Sequence, residues 1–201
     1  PAQRVDVLIE DASELFELLE VSSSKALNAA IFEPISLKLT SVKNSLSTEP
    51  YYSWPDTKNA KKIDVHMQGG AMGNLSKATF EGEERGLRDL ALKEAKLWAF
   101  NGNIGGYDLN VAEIEIGEVV VIKAWNDTAW PHAMHLHGHH FWVDSSEFGE
   151  KKRALLRDTY LMQPGEKAEL VFIANNPGAW LFHCHMLEHH AGGMGGVIYI
   201  S

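Results

Sequence analysis

Short runs rich in apolar and β-branched residues, separated by turn-formers, recur along this chain, and that pattern predicts short strands more than helix. Strand candidates fall at Arg4–Ile9, Leu15–Val21 and Ile35–Val42, rich in β-branched and apolar residues, with turn-formers between them. Three strands are too few to close a core, so residues 1–43 read as the tail of a preceding β domain. Residues 44–61 shift to Ser, Asn, Pro, Tyr, Asp and Lys, a composition suited to a surface linker. Residues 62–201 then form the final domain. It opens with a strand at Ile63–Met67 and the turn Gly69-Gly70. Between Glu83 and Trp98 the period changes: Leu87, Leu90, Ala91 and Leu97 share one side, with Glu84/Arg88 and Asp89/Lys93 as i,i+4 pairs, which predicts one short surface helix. After Asn101-Gly102 the strand pattern returns at Val111–Ile116, Val119–Trp125, His135–Val143, Ala168–Ala174, Trp180–His185 and Val197–Ile200. Gly117-Glu118, Asn126-Asp127, Pro164-Gly165 and Asn176-Pro177-Gly178 punctuate them. The pattern is that of an all-β fold, a Greek-key β-sandwich or barrel.

Composition narrows the classes. With 201 residues, 45% of them hydrophobic, the chain can bury a real core. A net charge of −9 without any Lys/Arg-rich run argues against nucleic acid or an anionic membrane as the main partner. No stretch approaches the roughly 20 apolar residues that cross a bilayer, and none resembles a signal peptide. The opening Pro-Ala-Gln-Arg-Val-Asp lacks Met and already alternates through Val5, Val7 and Ile9, so it reads as starting inside a longer protein. A missing leader then says nothing about compartment. One cysteine, Cys184, excludes an internal disulfide and leaves a lone thiol to be explained.

The histidines supply the chemistry. Nine of the ten lie between His132 and His190, in two groups. The first reads His132-Ala-Met-His135-Leu-His137-Gly-His139-His140, and the second His183-Cys184-His185-Met-Leu-Glu-His189-His190-Ala-Gly-Gly-Met194. Side chains on a strand alternate between faces, so His183 and His185 point one way and Cys184 the other. The same rule puts His135 and His137 on a shared face. Two strands can thus present four imidazoles on one side and a thiolate on the opposite side.

On the thiolate side, two imidazoles and one sulfur with a weak thioether on the axis suit a copper ion that changes oxidation state with little rearrangement. Cys184, His189 and Met194 lie within eleven residues, and the glycines at 192, 193, 195 and 196 allow a tight loop between strand and thioether. His132 completes the set from the other strand. Zinc accepts the same donors but has no redox chemistry and no use for a second, four-histidine face. On that face, all-imidazole ligation suits copper that binds and reduces oxygen. Cys184 lies covalently between His183 and His185, giving an electron a short through-bond path.

These motifs resemble the multicopper oxidases, the family of laccases, ascorbate oxidase and bacterial relatives. The matching residues are His132-x-x-His135-x-His137-Gly-His139 and His183-Cys184-His185-x-x-x-His189-x-x-x-x-Met194, with weaker support from Met67-Gln68-Gly69-Gly70 and Asn101-Gly102. The resemblance implies cupredoxin domains: the end of a middle one at 1–43 and the final one at 62–201. It implies type 1 copper ligands at His132, Cys184 and His189 with Met194 axial, a type 2 ligand at His135, and type 3 ligands at His137, His183 and His185. The family's trinuclear cluster uses eight histidines, four of them from His-x-His motifs of a first domain that do not occur here. The implied partners are therefore the N-terminal part of the same enzyme, a small reducing substrate and O2; the implied compartment is periplasmic or extracellular. Position 133 departs from the family, with Ala where many relatives have Pro. His66, His139, His140 and His190 have no ligand slot; His139 is a candidate to orient a ligand by hydrogen bonding.

Other classes remain to be weighed. A one-copper electron carrier would use only His132, Cys184, His189 and Met194, leaving the other pairs idle. A copper nitrite reductase relative does not call for His on both sides of the cysteine. Glu188, beside His189, could accept a proton or orient a donor, or stand as a solvated loop carboxylate. Donor identity is open among phenols, aromatic amines, Fe(II), Mn(II) and bilirubin-like pigments.

Overall fold

A computed structural model describes residues 14–21, 24–34, 52–144 and 156–201. The strand candidates Arg4–Ile9 and Ile35–Val42 lie outside the described residues. The described residues fall into two compact units, those up to 34 in one and those from 52 onward in the other.

The first unit contains an antiparallel hairpin of β1 (Phe16–Glu20) and β2 (Leu27–Phe32), with a register shift between Leu18 and Leu19. Phe16 and Phe32 face each other across it, their rings stacked 4.6 Å apart. β2 was not among the expected strands. Its Leu-Asn-Ala-Ala core has no clean alternation, and pairing with β1 makes it extended.

The second unit opens with Tyr52–Ala60, an irregular stretch that lays Tyr52 and Trp54 against Trp142. It continues through β3 (Lys61–Gly69), β4 (Lys77–Phe80), β5 (Glu83–Gly86), α1 (Leu87–Glu94), β6 (Trp98–Phe100), β7 (Asn110–Ile114) and β8 (Val119–Asn126). Next come β9 (His132–Leu136), β10 (Phe141–Asp144), β11 (Leu156–Arg157), β12 (Thr159–Met162) and β13 (Lys167–Ile173), then β14 (Gly178–Cys184), α2 (Leu187–Ala191) and β15 (Gly195–Ile200). Six strands form one sheet in the order β11-β10-β13-β8-β3-β6, and five form a second in the order β12-β9-β14-β15-β7. The core lies between them: Val65, Met67, Ile122, Leu170 and Phe172 from the first sheet meet Met134, Leu136, Phe182, Cys184 and Ile198 from the second. Each large apolar side chain buried there stabilises by about 1.5–3 kcal/mol. This is the expected all-β sandwich.

Three local expectations change. Residues 83–86 are not helical but pair as β5 with β4, because Glu81 (φ 52°) and Gly82 (φ 81°) make a two-residue turn that reverses the chain. Helix α1 therefore starts at Leu87, buries Leu87 and Leu90 and ends before Leu97. Glu84 accordingly meets Lys77 at 2.8 Å across the hairpin, whereas the i,i+4 pair Asp89/Lys93 forms at 2.7 Å. The strand expected over His135–Val143 is two strands in different sheets, with a turn at 137–140 where Gly138 adopts φ 71°. A second helix, α2, joins the one expected, formed where the chain leaves β14 and folds back into β15.

Candidate metal centre

β14 is the spine of the site. It pairs with β9 so that His183 lies opposite His135 and Cys184 opposite Met134. Alternation then sends the two residue types to opposite faces of the five-stranded sheet. Cys184 joins the fully buried core, whereas His183 and His135 face away from it.

On the core side, one donor atom each from His132, Cys184 and His189 lies within 4.8 Å of the other two. His132 Nδ1 and His189 Nδ1 are 3.0 Å apart, and Cys184 Sγ is 3.6 Å from His189 Nδ1. His132 starts β9, while His189 sits on α2 and is turned back by that short helix. Trp98 packs against both imidazoles, at 4.9 Å from His132 and 4.7 Å from His189. Met194 is fully buried; its carbonyl accepts the Cys184 N–H at 3.0 Å and its own N–H donates to the His189 carbonyl at 3.0 Å. The chain between them turns through Gly193 at φ 112°, where a Cβ would meet the Trp98 carbonyl at 2.5 Å. A side chain there would be strained as well as crowded.

On the opposite face, His135, His137 and His183 form a second convergent group. The Nε2 atoms of His137 and His183 are 3.1 Å apart. His135 is oriented by Nδ1, which is 2.7 Å from the Asp158 carbonyl, leaving Nε2 to face its neighbours. His183 Nδ1 is 2.9 Å from the Cys184 carbonyl, with the same consequence. His137 reaches the group from the turn after β9, not from a continuous strand, its N–H held by the Leu181 carbonyl at 2.9 Å. His185 lies just past the end of β14, exposed, its ring 5.3 Å from that of His135 and 5.7 Å from that of His183; it stands beside the convergent trio, not within it.

The remaining histidines fall elsewhere. His66 stacks on Trp125 at 4.2 Å, with Nε2 2.9 Å from Asp127 Oδ2. His139 is buried with Nδ1 3.4 Å from the His137 carbonyl. His190 lies against the His183 ring at 4.7 Å, and the His140 carbonyl accepts the Tyr52 hydroxyl at 2.5 Å.

Burial decides the electrostatics. It pushes His132 down to about 3 and His183 down to about 4, and it lowers His137 and His189 as well. The same burial pushes the Cys184 thiol up. A cysteine activated as a nucleophile needs the reverse, a thiolate beside an imidazolium. Here burial disfavours the charged forms of the thiol and of the His132, His137, His183 and His189 imidazoles, and a cation that enters then favours the thiolate directly. Two nitrogens and one sulfur without a carboxylate are donors for a soft redox metal, and the set fits copper. The second group, with nitrogen donors alone, fits copper as well.

Several residues that build the site were not among the sequence candidates. Trp98 carries no metal-ligand signature, Asn126 reads only as part of the turn Asn126-Asp127, and Thr128 is not singled out by the sequence. Their contacts span 2 to 91 positions of sequence, and none of these residues belongs to a recognised ligand motif.

Comparison with known proteins accords with this geometry. The sequence pattern of the Multicopper oxidase family matches residues 82–201. The multicopper oxidase MmcO of Mycobacterium tuberculosis is 29% identical over 199 residues, covering 96% of this chain and 36% of that protein. The iron multicopper oxidase fer1 of Mycosarcoma maydis is 34% identical over 117 residues, covering 49% of this chain and 18% of its own length. Among solved structures, the laccase-like multi-copper oxidase CueO of Ochrobactrum sp. superposes with a TM-score of 0.63 at 22% identity, over 94% of this chain and 42% of that one. The chain thus spans little more than a third of MmcO and less than a fifth of fer1. With more than half of its residues inside the matched pattern, the chain belongs to the multicopper oxidase family.

Proposed function

We propose that this chain carries the electron-entry site and half of the oxygen-reducing site of a laccase-like copper oxidase. In this reading His132, Cys184 and His189 are the equatorial ligands of a type 1 copper, with Met194 axial. His135 serves a type 2 copper, and His137, His183 and His185 serve type 3 coppers. The rest of the cluster's histidines come from an N-terminal part of the same enzyme, to which residues 1–43 and the linker 44–61 lead. Bound copper would supply one-electron chemistry to both groups, so that four electrons drawn singly from a small reducing substrate, together with four protons, would turn one O2 into two waters.

The supporting observation is the opposition of two donor sets across one residue step: Cys184 faces His132 and His189, while His183 faces His135 and His137. The covalent path from the Cys184 sulfur through its own main chain to His183 and His185 joins the two faces. The Asp158 carbonyl and Thr159 hydroxyl hold His135, and Trp98 keeps the His132 and His189 rings in place. Convergence of His135, His137 and His183 counts against a one-copper electron carrier, which would leave them without purpose. Phenols and related donors are the substrate class proposed; the named activity of fer1 keeps Fe(II) beside them. The compartment proposed is periplasmic or extracellular, where such donors and oxygen meet.

The test is to express the full-length protein with copper and record its metal content, its visible spectrum and oxygen uptake with a phenolic donor. About four copper ions per molecule, an intense sulfur-to-copper band and oxygen consumption are expected. One copper ion and no oxygen uptake would establish the carrier instead.

A further inference from the structure

We infer that Asn126 and Thr128 are positioning residues that set the proton of His132 on Nε2 and so present its bare Nδ1 to the metal group. The inference rests on the type 1 reading above and adds the device that orients one of its ligands.

The direction of each hydrogen bond follows from the one before it. Asn126 ends β8 and is fully buried. Its Nδ2 donates to the carbonyls of Trp130 at 2.8 Å and Gln163 at 2.9 Å, groups that can only accept. The amide therefore cannot be turned over, and Oδ1 must face Thr128. There it accepts the Thr128 N–H at 3.2 Å and the Thr128 hydroxyl at 2.7 Å. That hydroxyl has one hydrogen. Were it given to His132, the Thr128 oxygen would face the Asn126 Oδ1 at 2.7 Å and the Trp130 carbonyl at 3.0 Å with no hydrogen towards either. The hydrogen goes to these acceptor-only oxygens, the nearer being Asn126 Oδ1, and the free lone pairs of Oγ1 take the Trp130 N–H at 3.1 Å and His132 Nε2 at 2.9 Å. His132 must then be the donor on Nε2. An imidazole that is neutral and protonated there has a lone pair on Nδ1, the atom 3.0 Å from His189 Nδ1.

The position of the network in the fold explains its stiffness. Asn126 belongs to the six-stranded sheet and His132 to the five-stranded one, and residues 127–131 cross between them. The Asn126 N–H donates to the Glu166 carbonyl at 2.8 Å and its carbonyl accepts the Gly165 N–H at 2.8 Å, so the amide is anchored on both main-chain sides. The tautomer of His132 is thus tied to the sandwich itself, and the ligand atom is aimed before any cation arrives.

The experiment uses the full-length protein with 15N-labelled histidine. In the copper-free wild type, long-range nitrogen–proton correlations should report His132 as the Nε2–H form with slowed exchange; an Nδ1–H form would overturn the inference. Thr128→Val keeps the shape and removes the acceptor. It should hold copper at the sulfur-containing site about 10-fold or more weakly in chelator competition, with a displaced visible band, whereas Thr128→Ser should restore affinity to within about threefold. A Val variant with unchanged tautomer, affinity and band would sink the proposal. Should that variant fail to fold, the wild-type tautomer decides alone. A wild type without a sulfur-to-copper band would remove the type 1 reading and leave the tautomer result standing, so the two failures are distinguishable.

Discussion

Cys184 and His132 are both driven neutral by burial, the thiol upward and the imidazole down to about 3. In the proposed site, the charge that would make Cys184 a ligand has to arrive with the metal. Cys184→Ser should therefore abolish the intense visible band and lower the copper content of the full-length protein by about one ion per molecule, while copper on the histidine face stays; absorption and metal analysis check both halves. The lowered histidines also set a pH dependence for the metal-free protein. His132 and His183 bind protons in the unfolded chain near the ordinary 6.5 but in the folded one only near 3 and 4. As pH falls through that window the unfolded state takes up protons that the folded state refuses, so stability is full above about 6.5 and is lost towards about 3. Urea midpoints of the metal-free protein should fall steadily between about pH 7 and pH 4; a flat profile would contradict the assignment. The histidines and the cysteine were legible as a metal set because type and spacing are written locally. Asn126, Thr128 and Trp98 were not, since nothing in an Asn or Trp codon position tells which imidazole it will touch.

At the level of elements, β14 carries the site because a strand alternates: one residue step moves a side chain from the core to the other face. That consequence of backbone geometry was readable from the His183-Cys184 step, whereas His185 falls just past the strand's end. The return from β14 to β15 was less so. Helix α2 and the glycines after it bring His189 and Met194 back to Cys184, and they do so at close quarters. Gly193→Ala would place a methyl 2.5 Å from the Trp98 carbonyl at a φ of 112°. A cost of about 1–3 kcal/mol is expected, a fall of roughly 2–10 °C in the melting temperature of the copper-free protein, with weaker copper retention. Gly82→Ala, at φ 81° but with nothing within 4 Å, should cost less and leave the copper band intact. Spectra and thermal melts of the two variants side by side separate strain near the metal group from strain in a turn.

Across the whole molecule, the five-stranded sheet presents donors on both of its faces, one set towards the core and one away from it, and that arrangement supports a two-site enzyme of which this chain is proposed to be a part. Loaded with copper by itself, the chain should show the sulfur-to-copper band yet consume no oxygen with a phenolic donor; the full-length protein should do both. Oxygen uptake by the chain alone at the full-length rate would end the proposal that the cluster is shared. The all-β sandwich was readable from strand-length apolar runs and regular turns. The switch between sheets at 137–140 was not, because His135 through Val143 reads as one uninterrupted extended run apart from a single glycine, and Gly138 can be tolerated in a strand or bend it. In the fold, position 138 takes φ 71° and the Trp180 ring leaves no room there for a Cβ, so the turn admits glycine alone.

Local order alone determined which candidate donors this protein has and, for neighbours on one strand such as His183 and Cys184, on which side each falls, since residue type and the two-residue repeat of an extended backbone need no partner. Tertiary structure decided which of them meet. His132 and His189 are 57 positions apart, and only the packing of β9 and α2 around Trp98 brings their nitrogens to 3.0 Å. Convergence of that kind depends on sheet register and on buried polar contacts, quantities that are properties of the folded whole and of no segment within it.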